Sequence, residues 1–177
     1  MKPDQKYSQR GRRRKRPLAA KAPRARSATV GAQPLRRVLF LCSGNYYRSR
    51  FAEALFNHHA RAGGWPWRAF SRGLSTHLVD DEISRYTRRV LLHRGIALKQ
   101  TAPAPRALTR SDIAAAAHIV ALKESEHRRV MEARFPQHAG QVEYWKVHDL
   151  DASLPAATMT AIEKEVWQLA RRLLRAP

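Results

Sequence analysis

The chain has 177 residues, of which 34 are Lys or Arg and 14 are Asp or Glu, so its formal net charge at pH 7 is +20. Apolar residues make up 44% of the chain, which excludes a wholly disordered protein, and no apolar run reaches the ~18 residues of a membrane-spanning helix. A single cysteine excludes an internal disulfide framework and a cysteine-based zinc site. Because no apolar stretch follows the basic N-terminus, we expect no secretory signal and a cytoplasmic protein.

The N-terminal segment carries most of the charge. Residues 1–37 contain 13 of the basic residues and one acid, Asp4, and so supply +12 of the net charge. Because this segment is rich in proline and has no sustained apolar period, we predict a disordered extension over residues 1–36 and one domain over residues 37–177. One interpretation is that the extension makes a weak contact with nucleic acid or with an anionic surface. The simpler interpretation is a solvated tail.

Beyond residue 37, short apolar runs alternate with amphipathic stretches. The predicted strands cover residues 38–41, 68–73, 118–122 and 142–147. The predicted helices cover residues 49–61, 109–116 and 124–134, a stretch from Asp80 or Asp81 to Gly95, and a last helix from Pro155 or Ala156 onward. Strand and helix alternate throughout, so the fold class is α/β with a small parallel sheet.

Residues 42–49, with the sequence CSGNYYRS, join the first strand to the first helix. A loop at this place lies where α/β sheets bind ligands and where a helix N-terminus favours an anion. Gly44 and Asn45 tolerate the left-handed backbone of a tight anion-binding loop. Arg48 is suited to bind a tetrahedral oxyanion with two parallel hydrogen bonds.

Cys42 is the candidate nucleophile of this loop. Backbone amides, the helix dipole and Arg48 all favour its thiolate form, and Ser49 can donate a hydrogen bond to the sulfur. The alternative is an inert cysteine at a strand end with Arg48 on the surface. That alternative leaves Gly44, Asn45 and Ser49 unexplained, so we favour a nucleophile.

The residues VLFLCSGN at 38–45, Arg48-Ser49 and AEALF at 52–56 closely resemble the opening of the low-molecular-weight protein-tyrosine phosphatases. The resemblance covers roughly residues 37–175. It implies a single α/β domain whose four-stranded parallel sheet is flanked by helices on both faces, and it implies no metal cofactor.

The resemblance also implies the roles of individual residues. Cys42 would attack phosphorus, Arg48 and Ser49 would stabilise the phosphoryl group and the sulfur, and the loop would bind the phosphate. The remaining phosphate-binding positions are Ser43, Gly44, Asn45, Tyr46 and Tyr47.

An aspartate after the last strand would transfer the proton. The register favours Asp149, with Asp151 as the alternative, and the simpler interpretation of both residues is capping of the following turn and helix.

The chain departs from the family pattern at three places that bear on the site. Leu150 stands where an aromatic residue usually flanks a phosphotyrosine substrate, and Tyr46 and Tyr47 either replace that wall or pack against neighbouring helices. Tyr47 also occupies the position of a second, protective cysteine, and Arg50 replaces a frequent proline.

Other charged residues have simpler interpretations. The acids of the helix over residues 124–134, among them Glu124 and Glu126, are interpreted as a solvated face, and no histidine pair has convincing metal spacing.

We therefore predict a cysteine-dependent phosphomonoesterase that acts on a phosphorylated protein or a small phosphoester. The alternatives are an arsenate reductase or transferase that uses an external small thiol, and a degenerate protein that binds anions or nucleic acid.

Overall fold

A computed structural model of the chain describes residues 34–79, 82–149 and 154–175, in which four strands form one sheet. The strands are β1 (Arg36–Cys42), β2 (Trp67–Gly73), β3 (His118–Ala121) and β4 (Val142–Tyr144). Their order in the sheet is β2-β1-β3-β4, and each neighbouring pair is parallel. The register places Cys42 opposite Gly73 at the carboxyl end of the central strand β1.

Helices connect the strands on both faces of the sheet. They are α1 (Arg48–Ala62), α2 (Arg85–His93), α3 (Arg110–Ala114), α4 (Glu124–Arg134), α5 (Pro136–Ala139) and α6 (Pro155–Arg175). Two short 3-10 turns occupy Thr76–Leu78 and Leu98–Gln100.

The central strand is buried on both sides, which explains its unbroken apolar sequence. Phe40 belongs to a core that also contains Leu55 of α1 and Val166 of α6. Leu41 faces a second core, which contains Met131 of α4. Because successive strand residues point to opposite faces, the apolar run of β1 serves both cores and fixes the strand in the middle of the sheet.

The structure confirms the predicted α/β class, the four-stranded parallel sheet and the helices on both faces. Helix α3 begins with a capping box, in which Thr109 Oγ1 accepts a hydrogen bond from the Asp112 N–H and Asp112 accepts one from the Thr109 N–H. The buried face of α6 includes Ile162, Val166, Leu169 and Leu173.

The predicted elements differ most from the structure at α2, β4 and α5. Helix α2 begins at Arg85, with Ser84 as its cap accepting from the Tyr86 N–H at 3.2 Å, and Asp80 and Asp81 lie outside the described residues. Strand β4 ends at Tyr144 rather than at residue 147, because the chain leaves the ladder after its pairing with Ala121. Helix α5 was not predicted; it begins with Pro136, a residue suited to the first turn of a helix.

Among the described residues, no helix has the length and apolar character needed to cross a membrane.

Candidate active site

The loop between β1 and α1 lies at the carboxyl edge of the sheet, close against the end of β2. The Leu74 N–H donates to the carbonyl of Cys42 at 3.0 Å, and the Ser75 N–H donates to the carbonyl of Ser43 at 2.8 Å. A Cβ at Gly73 would lie 2.8 Å from the Ser43 carbonyl oxygen, closer than real Cβ contacts allow. Only glycine therefore fits where the strand end supports the loop.

Cys42 is buried and its sulfur contacts one hydroxyl. The Cys42 Sγ and the Ser49 Oγ are 3.0 Å apart, and Asn45 Nδ2 donates to Ser49 Oγ at 3.1 Å and to Ser71 Oγ at 2.8 Å. Because Ser49 Oγ accepts from Asn45, its own proton is available for the sulfur. This arrangement suits a sulfur that carries negative charge.

Asn45 has the left-handed backbone predicted for the loop, with φ of 53°. Its Oδ1 accepts a hydrogen bond from the Arg106 N–H at 2.8 Å, and the residue is fully buried. Within the described chain, the backbone N–H groups of Gly44 and Asn45 donate to no protein acceptor. Such amides in a loop that leads into a helix N-terminus are donors for an anion.

Arg48 is the buried cation of the site, with 1% of its surface exposed. Its Nη2 lies 2.6 Å from Glu126 Oε2 and 2.5 Å from Asp149 Oδ2, and its Nη1 donates to the carbonyl of Val147 at 3.2 Å. Burial disfavours the charge, but the hydrogen bond to Glu126 and the charges of Cys42 and Asp149 outweigh it and raise the pKa of Arg48. Its Nε is buried and has no hydrogen-bond partner among the described residues.

Two residues of α4 belong to this site that the sequence analysis did not assign to it. Glu126 was expected on a solvated face, which was wrong, because it makes a two-point contact with Arg48. His127 is buried; its Nδ1 accepts from the Lys123 N–H at 3.0 Å, and its Nε2 lies 3.4 Å from Ser43 Oγ.

His127 is neutral at physiological pH. Burial, together with the positive charges of Arg48 and Lys123, lowers its pKa from 6.5 to about 3. Because its Nδ1 accepts a hydrogen bond, the ring proton resides on Nε2, which faces Ser43 Oγ and, at 3.4 Å, Glu126 Oε2. The 3.4 Å approach to Glu126 is thus a contact with a neutral ring and not an ion pair.

Most of the predicted site residues line one cavity of about 280 Å³. Its walls are Cys42, Ser43, Gly44, Tyr46, Tyr47, Arg48, Val79 and Asp149. Asn45 and Ser49 lie behind it and are buried. Asp151, the alternative proton-transfer residue, and Leu150 lie outside the described residues.

The two loop tyrosines have different environments. Tyr47 is 4% exposed, its hydroxyl donates to the carbonyl of Pro155 at 3.4 Å, and burial raises its pKa to about 12. Tyr46 is only partly buried and packs at the edge of the core. Of the two, Tyr46 therefore has the exposed ring surface that a substrate can contact.

The donors described above suit an anion rather than a metal ion. Arg48 Nε and the backbone amides of Gly44 and Asn45 are hydrogen-bond donors, and none of them has a lone pair to offer a metal ion. In the part of the chain that the structure describes, no cluster of three or more His, Cys, Asp or Glu side chains is placed to hold a metal.

Comparisons with known proteins agree with this geometry. A family model described as low molecular weight phosphotyrosine protein phosphatase matches residues 37–176. Among solved structures, YfkJ from Bacillus subtilis is similar, with a TM-score of 0.72 at 20% identity over 82% of this chain and 98% of that chain. A low molecular weight protein tyrosine phosphatase from T. tengcongensis has a TM-score of 0.67 at 24% identity over 77% and 99%.

A third similar structure is the YwlE arginine phosphatase from Geobacillus stearothermophilus, with a TM-score of 0.62 at 24% identity, covering 78% of this chain and 93% of that chain. At these identities, the three structures show a shared fold. A comparison with curated protein sequences found no match.

Proposed function

Since the chain belongs to the low molecular weight phosphotyrosine protein phosphatase family, we propose that it hydrolyses phosphomonoesters through a phosphocysteine on Cys42. One observation supports this most. Cys42, with its sulfur against Ser49 Oγ, lines the same small cavity as Arg48, whose buried Nε has no protein partner in the described chain. A nucleophile and a phosphate-binding cation are thus on one surface.

In the first step, the Cys42 thiolate attacks phosphorus, the S–P bond forms and the bond between phosphorus and the leaving oxygen breaks. The leaving oxygen takes a proton from the carboxyl group of Asp149. Arg48 and the loop amides stabilise the nonbridging oxygens as their charge redistributes.

In the second step, water attacks the phosphocysteine and gives a proton to the Asp149 carboxylate. The S–P bond breaks, inorganic phosphate leaves and the sulfur departs as a thiolate. The Ser49 hydroxyl, 3.0 Å from Cys42 Sγ, stabilises that negative charge by donating a hydrogen bond.

The pairing of Asp149 with Arg48 gives substrate binding a second effect. Both Nη2 contacts of Arg48 are carboxylate oxygens, from Glu126 and Asp149. A phosphate oxygen that binds Nη2 replaces Asp149, since Glu126 also holds Nη1 and is the more firmly attached. The displaced Asp149 then lies beside the leaving oxygen at the cavity wall.

We favour aromatic phosphomonoesters, including phosphotyrosine in proteins, as substrates. Tyr46 offers partly exposed ring surface at the mouth of the cavity, and Val79 adds an apolar wall. Such a wall compensates for the aliphatic Leu150. A similar solved structure is an arginine phosphatase, so a phosphoarginine peptide belongs in the substrate panel.

The basic segment is proposed to be dispensable for the chemistry. Residues 1–33, which precede the described chain, are proposed to take no part in catalysis, and their contact with nucleic acid or an anionic surface stays a prediction. Deletion of residues 1–33 is expected to leave hydrolysis of a small substrate unchanged and to weaken any salt-dependent binding of RNA or DNA.

The test is hydrolysis of p-nitrophenyl phosphate and phenyl phosphate by the wild type and by Cys42→Ser, Arg48→Lys, Asp149→Asn and Asp151→Asn. Cys42→Ser and Arg48→Lys are expected to abolish turnover of both substrates. Asp149→Asn is expected to slow phenyl phosphate far more than p-nitrophenyl phosphate, because phenolate is the poorer leaving group. Asp112→Asn, which removes a carboxylate that pairs with Arg72 at 2.7 Å, is the control.

Mass spectrometry after acid quenching is expected to find one phosphoryl group on the peptide that contains Cys42. If Asp151→Asn, and not Asp149→Asn, slows phenyl phosphate far more than p-nitrophenyl phosphate, the proton transfer is assigned to Asp151. A wild type that hydrolyses no phosphomonoester and forms no phosphocysteine would overturn the proposal. Arsenate reduction with an external thiol, and anion binding without turnover, would then be measured.

A further inference from the structure

Arg50 lies in the first turn of α1, where a cation is unfavourable. The helix dipole repels positive charge at this end, Arg48 is two residues away, and the first turn contains no acid. Arg50 is nevertheless 1% exposed. A buried cation in such a place needs compensation from specific contacts.

The guanidinium of Arg50 joins three segments of the chain. Its Nε donates to Thr101 Oγ1 at 2.6 Å, and its Nη1 donates to the carbonyls of Glu82 at 2.9 Å and Asn45 at 3.5 Å. Its Nη2 donates to the carbonyl of Ala102. The Asn45 contact is directly on the left-handed residue of the candidate phosphate-binding loop.

A second path connects Arg50 to the sulfur through side chains only. Thr101 Oγ1, which accepts from Arg50, donates to Glu53 Oε2 at 2.6 Å, and Ser71 Oγ donates to the same oxygen at 2.7 Å. Ser71 Oγ in turn accepts from Asn45 Nδ2. Asn45 Nδ2 also donates to Ser49 Oγ, which lies 3.0 Å from Cys42 Sγ.

Glu53 is the carboxyl at the centre of this buried network. Its side chain is 5% exposed, and burial raises its pKa against the opposing effects of the Thr101 and Ser71 hydroxyls and of Arg50. Burial lowers the pKa of Arg50, and the charges of Glu53, Cys42 and Glu82 oppose that change. The cation is therefore placed to compensate negative charge on both the carboxylate and the sulfur.

We propose that Arg50 is a positioning residue for the nucleophile, which fixes the backbone of Asn45 and, through Thr101 and Glu53, orients the hydrogen bonds that end at Cys42 Sγ. The proposal rests on the proposed function and adds a residue that the family pattern does not supply, since proline is frequent at this position. Other charged groups around the loop are Arg48, Asp149 and Glu126. Neutral His127 and Tyr47, whose pKa burial raises, lie there as well.

The test measures alkylation of Cys42 by iodoacetamide between pH 5 and pH 9, together with thermal unfolding, in the full chain. Cys42 is the only cysteine, so alkylation reports on this sulfur alone. Arg50→Met removes the charge and its hydrogen bonds, Arg50→Lys keeps the charge, and Thr101→Val breaks the link to Glu53. Arg88→Met is the matched control, because Arg88 lines the same neighbouring cavity as Arg50 but is exposed.

Arg50→Met is expected to move the midpoint of alkylation about one pH unit upward, which lowers the thiolate fraction about tenfold at lower pH. Arg50→Lys and Thr101→Val are each expected to move the midpoint upward by less than Arg50→Met does. Arg88→Met is expected to keep the wild-type midpoint. In the variants whose midpoint moves, kcat for p-nitrophenyl phosphate is expected to fall by a larger factor than KM changes. A structural role alone would lower the melting temperature without moving the midpoint.

A folded Arg50→Met protein with the wild-type alkylation profile overturns the proposal. Where Arg50→Met does not fold, an unchanged profile in both Arg50→Lys and Thr101→Val overturns it equally. Alkylation of Cys42 does not require turnover, so the role of Arg50 and the proposed phosphatase function are tested independently. A profile that depends on Arg50 in a protein without phosphatase activity refutes only the proposed function.

Discussion

Glu126 holds the guanidinium of Arg48 at two points, with Nη1 to Oε1 at 3.3 Å and Nη2 to Oε2 at 2.6 Å. The two residues are 78 positions apart in the sequence, and the contact brings the first turn of α4 to the loop between β1 and α1. Because a guanidinium is planar, holding Nη1 and Nη2 also fixes the direction of the Nε–H bond. The side chain therefore loses little conformational freedom when a phosphate binds. Glu126 therefore orients the cation of the site.

Replacement of Glu126 by Gln is expected to lower kcat/KM for p-nitrophenyl phosphate roughly 10- to 100-fold, because a misdirected Arg48 stabilises the transition state less well. The matched control is Glu124→Gln on the same helix, whose carboxylate pairs with Arg128 at 2.9 Å at the surface. That change is expected to leave kcat/KM within about twofold, since exposed ion pairs contribute little. Equal effects of the two variants would contradict the orienting role of Glu126.

The loop was predictable from the sequence because its signals are local. Cys42, Gly44, Asn45, Arg48 and Ser49 lie within eight consecutive residues, between an apolar strand and an amphipathic helix, and each residue type suits one requirement of anion binding. The parallel sheet followed from the alternation of strands and helices in the same direct way.

The supporting residues were not predictable, because they reach the loop from distant segments. Glu126 has the spacing of an ordinary charged helix face, and only the packing of α4 against the sheet turns it toward Arg48. His127, 84 residues from Ser43, is one of eight histidines with no distinguishing neighbour in the sequence. Arg50 was visible only as a departure from a family pattern, and its partners Thr101 and Glu82 follow from tertiary structure alone.

Tyr46 is expected to determine the preference for aromatic substrates. Its partly buried ring lies at the cavity that holds Cys42 and Arg48, whereas Tyr47 is buried. Tyr46→Ala is expected to raise KM for phosphotyrosine peptide and phenyl phosphate about 3- to 10-fold, since contacts between aromatic rings contribute about 0.5–1.5 kcal/mol. β-Glycerophosphate, which has no ring, is the control substrate and is expected to keep its wild-type KM. A parallel rise for both substrate types would contradict a specific ring contact.

Gly73 is expected to be essential for the position of the loop. A Cβ at this residue would lie 2.8 Å from the Ser43 carbonyl oxygen and 3.0 Å from Asn45 Cβ, so Gly73→Ala must displace the loop or the strand end. We expect a loss of stability of about 1–3 kcal/mol and a fall in kcat of roughly 10-fold or more. Gly140→Ala is the matched control, because nothing lies within 4 Å of the Cβ that it adds. Urea unfolding and steady-state kinetics of both variants test this, and wild-type kcat in Gly73→Ala would refute it.

His127 is expected to make the stability of the protein depend on pH below neutrality. Its pKa is about 3 in the folded protein and 6.5 in an unperturbed chain, because burial and the charges of Arg48 and Lys123 disfavour the protonated ring. Between these two values the unfolded state binds a proton that the folded state does not. The free energy of unfolding therefore falls as the pH decreases from about 6.5, by up to about 1.4 kcal/mol per pH unit from this residue.

The measurement is urea unfolding of the wild type and of His127→Gln at several pH values between 4.5 and 7.5. Gln keeps a donor for Ser43 Oγ and does not titrate, so the variant is expected to lose less stability than the wild type over this range, even where it is less stable at pH 7. His93→Gln, at the exposed end of α2, is the control and is expected to keep the wild-type slope. Identical slopes for the wild type and His127→Gln would mean that the ring is protonated in the folded protein, and the hydrogen bonds assigned to its neutral form would then be wrong.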